Sequence, residues 1–222
     1  MIDFEKRDFD LQISLSPTIR VIVKSQYPVK RLKEIVDVTI GGTPSRRNNS
    51  YFQGQHLWVT IKDLNEDIVK ETDEKITNLG IENSNVKKIP AKTTLLSFKL
   101  SIGKVGFTDK ESYTNEAIAA LIPLDKKEIN DMFLFVLFKS RIINLQNIGN
   151  KAFGKSLNKS YLQNEVRIPV PPLDIQEEVV KEYEKLDTKS KKVRLSDKDY
   201  LQQIKDIFYT MKIVEEVNDE EK

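Results

Sequence analysis

Alternating apolar and polar positions predict two pairs of short strands in the first half of the chain. Residues 33–40, KEIVDVTI, and residues 57–62, LWVTIK, alternate and are rich in β-branched side chains, as strands are. The loop between them contains GGTPSRRNNSYF, residues 41–52, in which two glycines permit the turn. A second pair is predicted at residues 95–102 and 105–107, joined by a tight glycine-containing turn.

Helical patterns dominate the second half. Residues 130–148, NDMFLFVLFKSRIINLQNI, have the length of a helix and an apolar density that indicates burial. A polar loop, GNKAFGKSLNKS at 149–160, is followed by EVRIPVPPL at 165–173, whose three prolines confine that strand to a sheet edge or an extended exit. From Asp174 onward there is neither glycine nor proline, and Asp174 suits the N-cap of a long helix.

This C-terminal segment carries a heptad stripe that is interrupted by Ser190 and Asp197. The stripe predicts a coiled-coil arm with a break near Ser196. The same stripe also fits a helix docked on the rest of the chain, and the sequence leaves both interpretations open. The positions expected to contact a second copy or another partner are Val179, Tyr183, Leu186, Val193, Tyr200, Ile204, Ile207 and Met211.

The pattern as a whole predicts the α+β class, a compact domain with a mixed β-sheet core followed by a long helical arm. The boundaries expected are an N-terminal lead or linker at 1–30, the domain at 31–173, the helical spacer or dimerisation arm at 174–215 and an acidic tail at 216–222.

Composition excludes many enzyme classes. The chain has no cysteine and His56 is its single histidine, so disulfides, cysteine zinc sites and cysteine nucleophiles are excluded. No phosphate-binding or dinucleotide-binding glycine loop is present, and the carboxylates lack metal-ligand spacing. We therefore expect no catalysis, no metal and no cofactor. A charged N-terminus and the lack of any run near about 18 apolar residues predict a cytoplasmic protein without a membrane span.

Charge is segregated along the chain. The net charge of +2 conceals three long runs without any acidic residue, at 38–62, 83–108 and 132–164. These runs hold 13 of the 36 basic residues, so the remaining 23 basic and 34 acidic residues give the rest of the chain a net charge of −11. This arrangement predicts a basic face on an otherwise acidic particle, for which nucleic acid is the natural partner.

Four stretches then occur in an order that is typical of one family. They are RLKEIVDVTIGGTPSRRNNSYFQGQHLWVTIKDL, TTLLSFKLSIGKVGF, YTNEAIAAL and IPVPPLDIQEEVV. From about residue 30 to about residue 185 the chain resembles a target recognition domain of the DNA specificity subunits of type I restriction-modification systems.

The resemblance implies a subunit that binds double-stranded DNA without chemistry of its own. A partner modification subunit would methylate adenine with S-adenosylmethionine, and a restriction subunit is a further candidate partner. Pro44 and the glycines would fix a rigid turn, while arginine and asparagine can pair with guanine and adenine and lysines can bind phosphates. The residues expected to bind DNA are Thr43, Ser45, Arg46, Arg47, Asn48, Asn49, Lys62, Lys99, Lys104, Lys151, Lys155, Asn158 and Lys159.

Full-length subunits of that family have two recognition domains, whereas this chain has one domain, one arm and no internal repeat. Three interpretations remain open: a half-subunit that pairs with itself through the arm, a truncated piece, or the recognition region of a fused methyltransferase or restriction enzyme. A coiled-coil interaction module that does not bind DNA is a rival from another functional class. A nuclease or methyltransferase acting alone has no site motif to support it.

Overall fold

The computed structural model describes residues 24–65, 67–143, 145, 157–193 and 195–215. It has the predicted mixed α+β architecture, with three sheets followed by a pair of long helices. The strands are β1 Val29–Arg31, β2 Val36–Ile40, β3 Phe52–Val59, β4 Ile68–Val69, β5 Lys75–Ile76, β6 Lys88–Ile89, β7 Thr94–Ser97, β8 Val105–Thr108, β9 Ser112–Thr114, β10 Ile118–Pro123 and β11 Arg167–Pro169. The helices are α1 Leu32–Ile35, α2 Asn78–Glu82, α3 Asp131–Lys139, α4 Lys159–Asn164, α5 Leu173–Val193 and α6 Asp197–Thr210.

The largest sheet has five strands in the order β2-β10-β7-β8-β4. Neighbouring strands of this sheet are antiparallel, except for β4 and β8, which run parallel. All residues of β7 and β8 are buried, because the sheet is covered on both faces. Strands β1 and β11 form a two-stranded antiparallel ribbon, which joins the start of the domain to its end.

A smaller sheet of four strands, in the order β5-β3-β9-β6, carries the loop that precedes β3. Strand β3 contains a bulge between Phe52 and His56, and Gln53 within it adopts a left-handed conformation with φ 59°. The indole of Trp58 on β3 lies in a separate small apolar cluster with Ile76 and Tyr113. This cluster fixes the base of the loop between β2 and β3.

Helix α3 is the centre of the main core. Its residues 133–139 are all buried, because it packs against β7 and β8 on one side and against both long helices on the other. Asn130 caps the helix by accepting hydrogen bonds from the backbone N–H groups of Met132 and Phe133. The helix is shorter than the sequence predicts: it ends at Lys139, where the Ser140 hydroxyl donates back to the Leu137 carbonyl.

The C-terminal segment is a helical hairpin docked on α3 and not a free arm. Helix α5 begins near Asn130 and runs beside α3, with the Phe135 and Tyr183 rings 6.1 Å apart. Helix α6 returns in the opposite direction, bringing Phe208 within 6.0 Å of Phe133. The predicted break is present, and Ser196 caps α6 by accepting from the Asp199 N–H.

Docking changes the interpretation of the heptad stripe. Val179 and Ile204 are fully buried and Tyr183 is nearly so, all within the core that contains α3. In this conformation α3 of the same chain covers these three residues, so the expected contact with another chain would require the hairpin to leave α3. Tyr200 is partly buried in the same core.

A buried glutamine joins the hairpin to the domain. The Gln176 side chain is fully buried, accepts a hydrogen bond from the Asn130 N–H at 2.8 Å, and donates to the carbonyls of Glu128 and Pro171 at 2.8 and 2.7 Å. Every hydrogen-bonding atom of the amide is thus satisfied by backbone of the domain. Such a network holds the first turn of α5 in one position.

A second polar network lies between α3 and the hairpin. The ammonium of Lys139, which is buried, donates to the Tyr183 hydroxyl at 3.0 Å and lies 5.1 Å from the Tyr200 ring centre. The Tyr200 hydroxyl donates to Asp187 at 2.7 Å, and Lys191 pairs with the same carboxylate. Burial acts to raise the pKa of Asp187, but the hydrogen bonds from Lys191 and Tyr200 outweigh it and lower the pKa.

Two predicted strands are shorter than expected. The first part of KEIVDVTI forms α1, because Leu32 and Ile35 share one buried face and Glu34 accepts from the Arg31 N–H at 2.6 Å. Strand β7 ends at Ser97, and residues 98–104 form the tip of the β7–β8 hairpin. None of the helices in the described part of the chain is both long and apolar enough to cross a membrane.

Candidate nucleic-acid interface

The loop between β2 and β3 is packed tightly at its start. A Cβ atom on Gly41 would overlap the Thr114 carbonyl oxygen, and one on Gly42 would overlap the Asn85 side chain. The Trp58 indole N–H donates to the Gly42 carbonyl at 3.1 Å. The two glycines are therefore required by close approach to neighbouring backbone, which explains why the loop begins with them.

Arg46 is held by the protein itself. Its guanidinium forms a two-pronged ion pair with Glu74, one hydrogen bond being 2.8 Å long, and stacks over the rings of Phe52 and Trp58 at 4.6 and 5.0 Å. The hydrogen bond to Glu74 raises the pKa of Arg46, and the same bond lowers the pKa of Glu74. The prediction that Arg46 reaches the DNA stays untested, but in this conformation its fork is occupied.

Two further loop residues are also engaged within the protein. The Asn48 side chain accepts from the Ser50 N–H at 3.1 Å and so caps the short 3-10 helix Asn49–Tyr51. The Thr43 hydroxyl donates to Glu116. This hydrogen bond lowers the pKa of Glu116, with smaller contributions from the charges of Lys99 and Arg46.

Three other residues of the same loop make no such contacts. Ser45, Arg47 and Asn49 are exposed, and their side chains make no hydrogen bond or ion pair with any residue that the structure describes. Unengaged and engaged side chains therefore alternate from Ser45 to Asn49. Asn49 also lines a cavity of about 510 Å³ together with Gln53 and Glu74. The loop presents its unengaged polar groups from a rigid base.

The tip of the β7–β8 hairpin lies on the same side of the domain. Phe98 of the tip accepts from the Leu157 N–H at 2.8 Å and donates its own N–H to Ala117 at 3.1 Å, next to Glu116. The tip is thus flanked by the Glu116 turn on one side and by the start of α4 on the other. Lys99 and Lys104 belong to the tip, and Lys159 begins α4.

Asn158, expected to bind DNA, caps α4 by accepting from the Tyr161 N–H at 2.8 Å. Lys159 is exposed beside it. Lys62 is exposed in the 3-10 helix Ile61–Asp63, where its charge contributes to the lowered pKa of Glu74. Lys151 and Lys155, the remaining predicted phosphate ligands, lie outside the described residues.

The structure corrects the idea of an acid-free face. Glu74 and Glu116 lie outside the basic runs in sequence but contact side chains of the first run, and Lys88 pairs with Glu111 at 3.0 Å. Lys139, counted in the third run, is buried in the core. The surface is consequently a mixed one, in which carboxylates hold some cations in place and leave others unengaged.

Sequence reasoning missed the two carboxylates, and no local signal could have found them. His56, the single histidine, is hydrogen-bonded to Asn78 at 2.6 Å and packs on Tyr113. No cluster of potential metal ligands occurs in the part of the chain that the structure describes.

The family of this chain follows from its similarity to known proteins. Residues 24–205 match the family model described as the type I restriction modification DNA specificity domain. The chain belongs to this family. The match begins before β1 and ends within α6, so it includes most of the docked hairpin as well as the sheets.

Two curated relatives of the specificity domain are themselves specificity subunits. The type I restriction enzyme MjaIX specificity subunit of Methanocaldococcus jannaschii is 28% identical over 162 residues, covering 71% of this chain and 37% of the relative. The EcoR124I/EcoR124II specificity subunit of Escherichia coli is 27% identical over 166 residues, covering 72% of this chain and 40% of the relative. The chain thus spans well under half the length of these relatives.

Among solved structures, the specificity domain resembles the HsdS subunit from Thermoanaerobacter tengcongensis, with a TM-score of 0.59 and 17% identity. The alignment covers 93% of this chain and 51% of that one. The S subunit from M. genitalium gives a TM-score of 0.55 at 16% identity, covering 80% of this chain and 43% of that one. These likenesses establish the fold.

Proposed function

We propose that this specificity domain recognises double-stranded DNA as a specificity subunit or half-subunit, and directs a partner adenine methyltransferase to one half of a two-part target. It contributes no chemistry of its own: S-adenosylmethionine would be bound by the modification subunit, and a restriction subunit could join the complex. The observation that carries the proposal is the set of unengaged polar side chains, Ser45, Arg47 and Asn49, on a loop whose base is rigid.

The two kinds of loop residue have different roles in this proposal. Arg46 and Asn48 hold the loop in one conformation before DNA binds. Binding therefore costs less conformational entropy than it would for a flexible loop. Arg47 then offers its fork to a guanine edge or a phosphate, and Asn49 its amide to an adenine edge. Lys62, Lys99 and Lys104 would supply phosphate contacts that position the duplex without reading it.

The outer groove of the hairpin is the proposed protein-binding surface. A cavity of about 710 Å³ between α5 and α6 is lined by the apolar side chains of Ile175, Leu186, Ile207 and Met211 and by acidic and basic residues at its rim. An apolar centre with a charged rim is the layout of a protein interface. Val193, 62% exposed at the end of α5, is a further apolar position that we propose for the same interface.

We propose that a second copy of this chain occupies the groove. Self-pairing would give a two-fold arrangement and a symmetric two-part target. The molar mass by light scattering tests this: a dimer that becomes a monomer in Ile207→Asp, but not in the exposed control Leu124→Asp, supports pairing through the groove. If the parent chain is a monomer, self-pairing is refuted and the modification subunit becomes the proposed occupant of the groove.

DNA binding is tested by selection from a random duplex pool with the purified chain, followed by fluorescence anisotropy on the enriched sequence. We expect one enriched half-site and an affinity that falls as salt increases. Arg47→Ala should lower affinity for the enriched duplex, whereas Lys181→Ala, on the exposed side of α5, serves as the charge-matched control. Tight protein-partner binding with no DNA affinity at low salt would refute the proposal in favour of an interaction module.

A further inference from the structure

A leucine stands exposed at the tip of the β7–β8 hairpin. Leu100 is 74% exposed, more than any other large apolar residue in the described part of the chain. It also adopts the left-handed conformation, with φ 62°. Both properties are unfavourable: an exposed leucine gains nothing from burial, and a side chain with a Cβ atom is strained at positive φ, where glycine would not be.

The strained tip is held by the residues around it. Ser97, fully buried, accepts on its hydroxyl from the Lys104 N–H at 2.9 Å and donates that hydroxyl to the Ser101 carbonyl. Its backbone carbonyl accepts from the Gly103 N–H at 2.9 Å. These bonds close the tip from Phe98 to Lys104 into one shape, so that Leu100 is displayed from a fixed position.

The surroundings of Leu100 are cationic. Lys99 precedes it, with its ammonium 5.4 Å from the Phe98 ring centre, and Lys104 ends the tip. The neighbouring segment begins α4 with Lys159, joined to the tip by the Leu157–Phe98 hydrogen bond. On the other side, the charge of Lys99 acts on Glu116, which holds Thr43 of the loop between β2 and β3.

We propose that Leu100 is a DNA contact, an apolar side chain that the hairpin tip inserts into a groove of the duplex and places against the bases. The inference rests on the proposed function and extends it by assigning an uncharged residue to the interface. The lysines beside Leu100 would bind the phosphates on either side of the groove, while the leucine meets a thymine methyl group or the flat face of a base step.

Charge complementarity favours DNA over a protein as the covering partner. An apolar anchor for a protein usually lies in a patch from which lysines are depleted, whereas this one stands between lysines and belongs to the side of the domain that carries Arg47 and Asn49. A groove of DNA offers phosphates for the lysines and apolar base surface for the leucine at the same place.

The test uses the full chain and the duplex enriched by it. Leu100→Ala should bind that duplex about tenfold more weakly, the loss expected for one buried leucine side chain. Its salt dependence should not change, because no charge is removed. Lys99→Ala should instead lower the slope of log affinity against log salt by about one.

Two control variants separate contact from structure. Leu124→Ala removes another exposed leucine, 60% exposed at the far end of β10, and should bind as the parent does. Leu100→Gly removes the strain as well as the side chain, so its melting temperature should equal or exceed that of the parent while its DNA affinity falls. Lys92→Gly relieves a similar strain, φ 59°, at the other end of β7 and should keep specific binding.

Modified duplexes identify the base surface. If Leu100 meets a thymine methyl, replacing thymine by uracil weakens binding of the parent but not of Leu100→Ala. If it enters a base step, 2-aminopurine at that step brightens with the parent only. Equal affinity of Leu100→Ala and the parent would overturn the inference and leave the proposed function intact. A parent chain that binds no DNA would overturn both.

Discussion

Substitution by alanine should lower fold stability at Arg46 and DNA affinity at the adjacent Arg47. Arg46→Ala removes a two-pronged ion pair with Glu74 and the stacking of a guanidinium on two aromatic rings. Arg47→Ala removes an exposed side chain without a partner among the described residues. Arg46→Ala should therefore destabilise the fold, and Arg47→Ala should leave stability unchanged while weakening DNA binding.

The magnitude for Arg46 follows from its exposure. Its side chain is 54% exposed and that of Glu74 is 38% exposed, so solvent screening limits the ion pair to about 0.5–1 kcal/mol. Stacking at such a site adds about 0.5–1 kcal/mol. The sum of about 1–2 kcal/mol should lower the melting temperature by about 2–8 °C in a chain of this size. For Arg47→Ala we expect a change within about 0.5 kcal/mol.

Thermal and urea denaturation followed by circular dichroism measure the stabilities, and anisotropy on the enriched duplex measures binding. A double-mutant cycle with Glu74→Gln should return the ion-pair part of the Arg46 effect as a coupling energy. The reasoning is refuted if Arg47→Ala destabilises as much as Arg46→Ala. It is equally refuted if Arg46→Ala leaves stability unchanged and Arg47→Ala leaves DNA affinity unchanged.

Three further predictions concern the fold. Phe208→Ala, at a fully buried ring 6.0 Å from Phe133, should cost about 3–5 kcal/mol in urea unfolding; a cost below about 1 kcal/mol would mean that the hairpin is not docked in solution. The lowered pKa of Asp187 stabilises the fold at pH values above 3.8, the ordinary pKa of this carboxyl. This stabilisation is lost as pH falls through the lower pKa of the folded state. Asp187→Asn should therefore flatten the acid limb of the stability curve, and an unchanged limb would contradict the assignment. Gly41→Ala should cost about 1–3 kcal/mol because of its overlap with the Thr114 carbonyl, and unaltered stability and binding would show that the loop base can shift.

Local patterns in the sequence predict those parts of the fold that depend on neighbours along the chain. The β7–β8 hairpin and the break at Ser196 both follow from turn and cap chemistry. Pairings across the chain do not. Glu74 lies 28 residues from Arg46, and Glu116 lies 73 residues from Thr43, so no spacing rule could connect them.

The heptad stripe shows the same limit for packing. A period of seven residues indicates that one face of a helix is covered, and Val179 and Ile204 are indeed fully buried. The period does not say what covers that face. In this chain α3, an apolar helix without a heptad pattern, provides the cover, and the partly buried positions that line the outer groove, such as Ile207 and Met211, are left for another molecule.

The contacts of Gln176 limit where the chain can be cut without exposing buried groups. A cut after Leu173 removes the glutamine and leaves the Asn130 N–H without its hydrogen-bond partner, together with the apolar surface that Val179 and Phe208 cover. A chimaera that exchanges DNA specificity between relatives must therefore transplant the hairpin with the sheets. For such an exchange the sheets and the helical hairpin form a single unit.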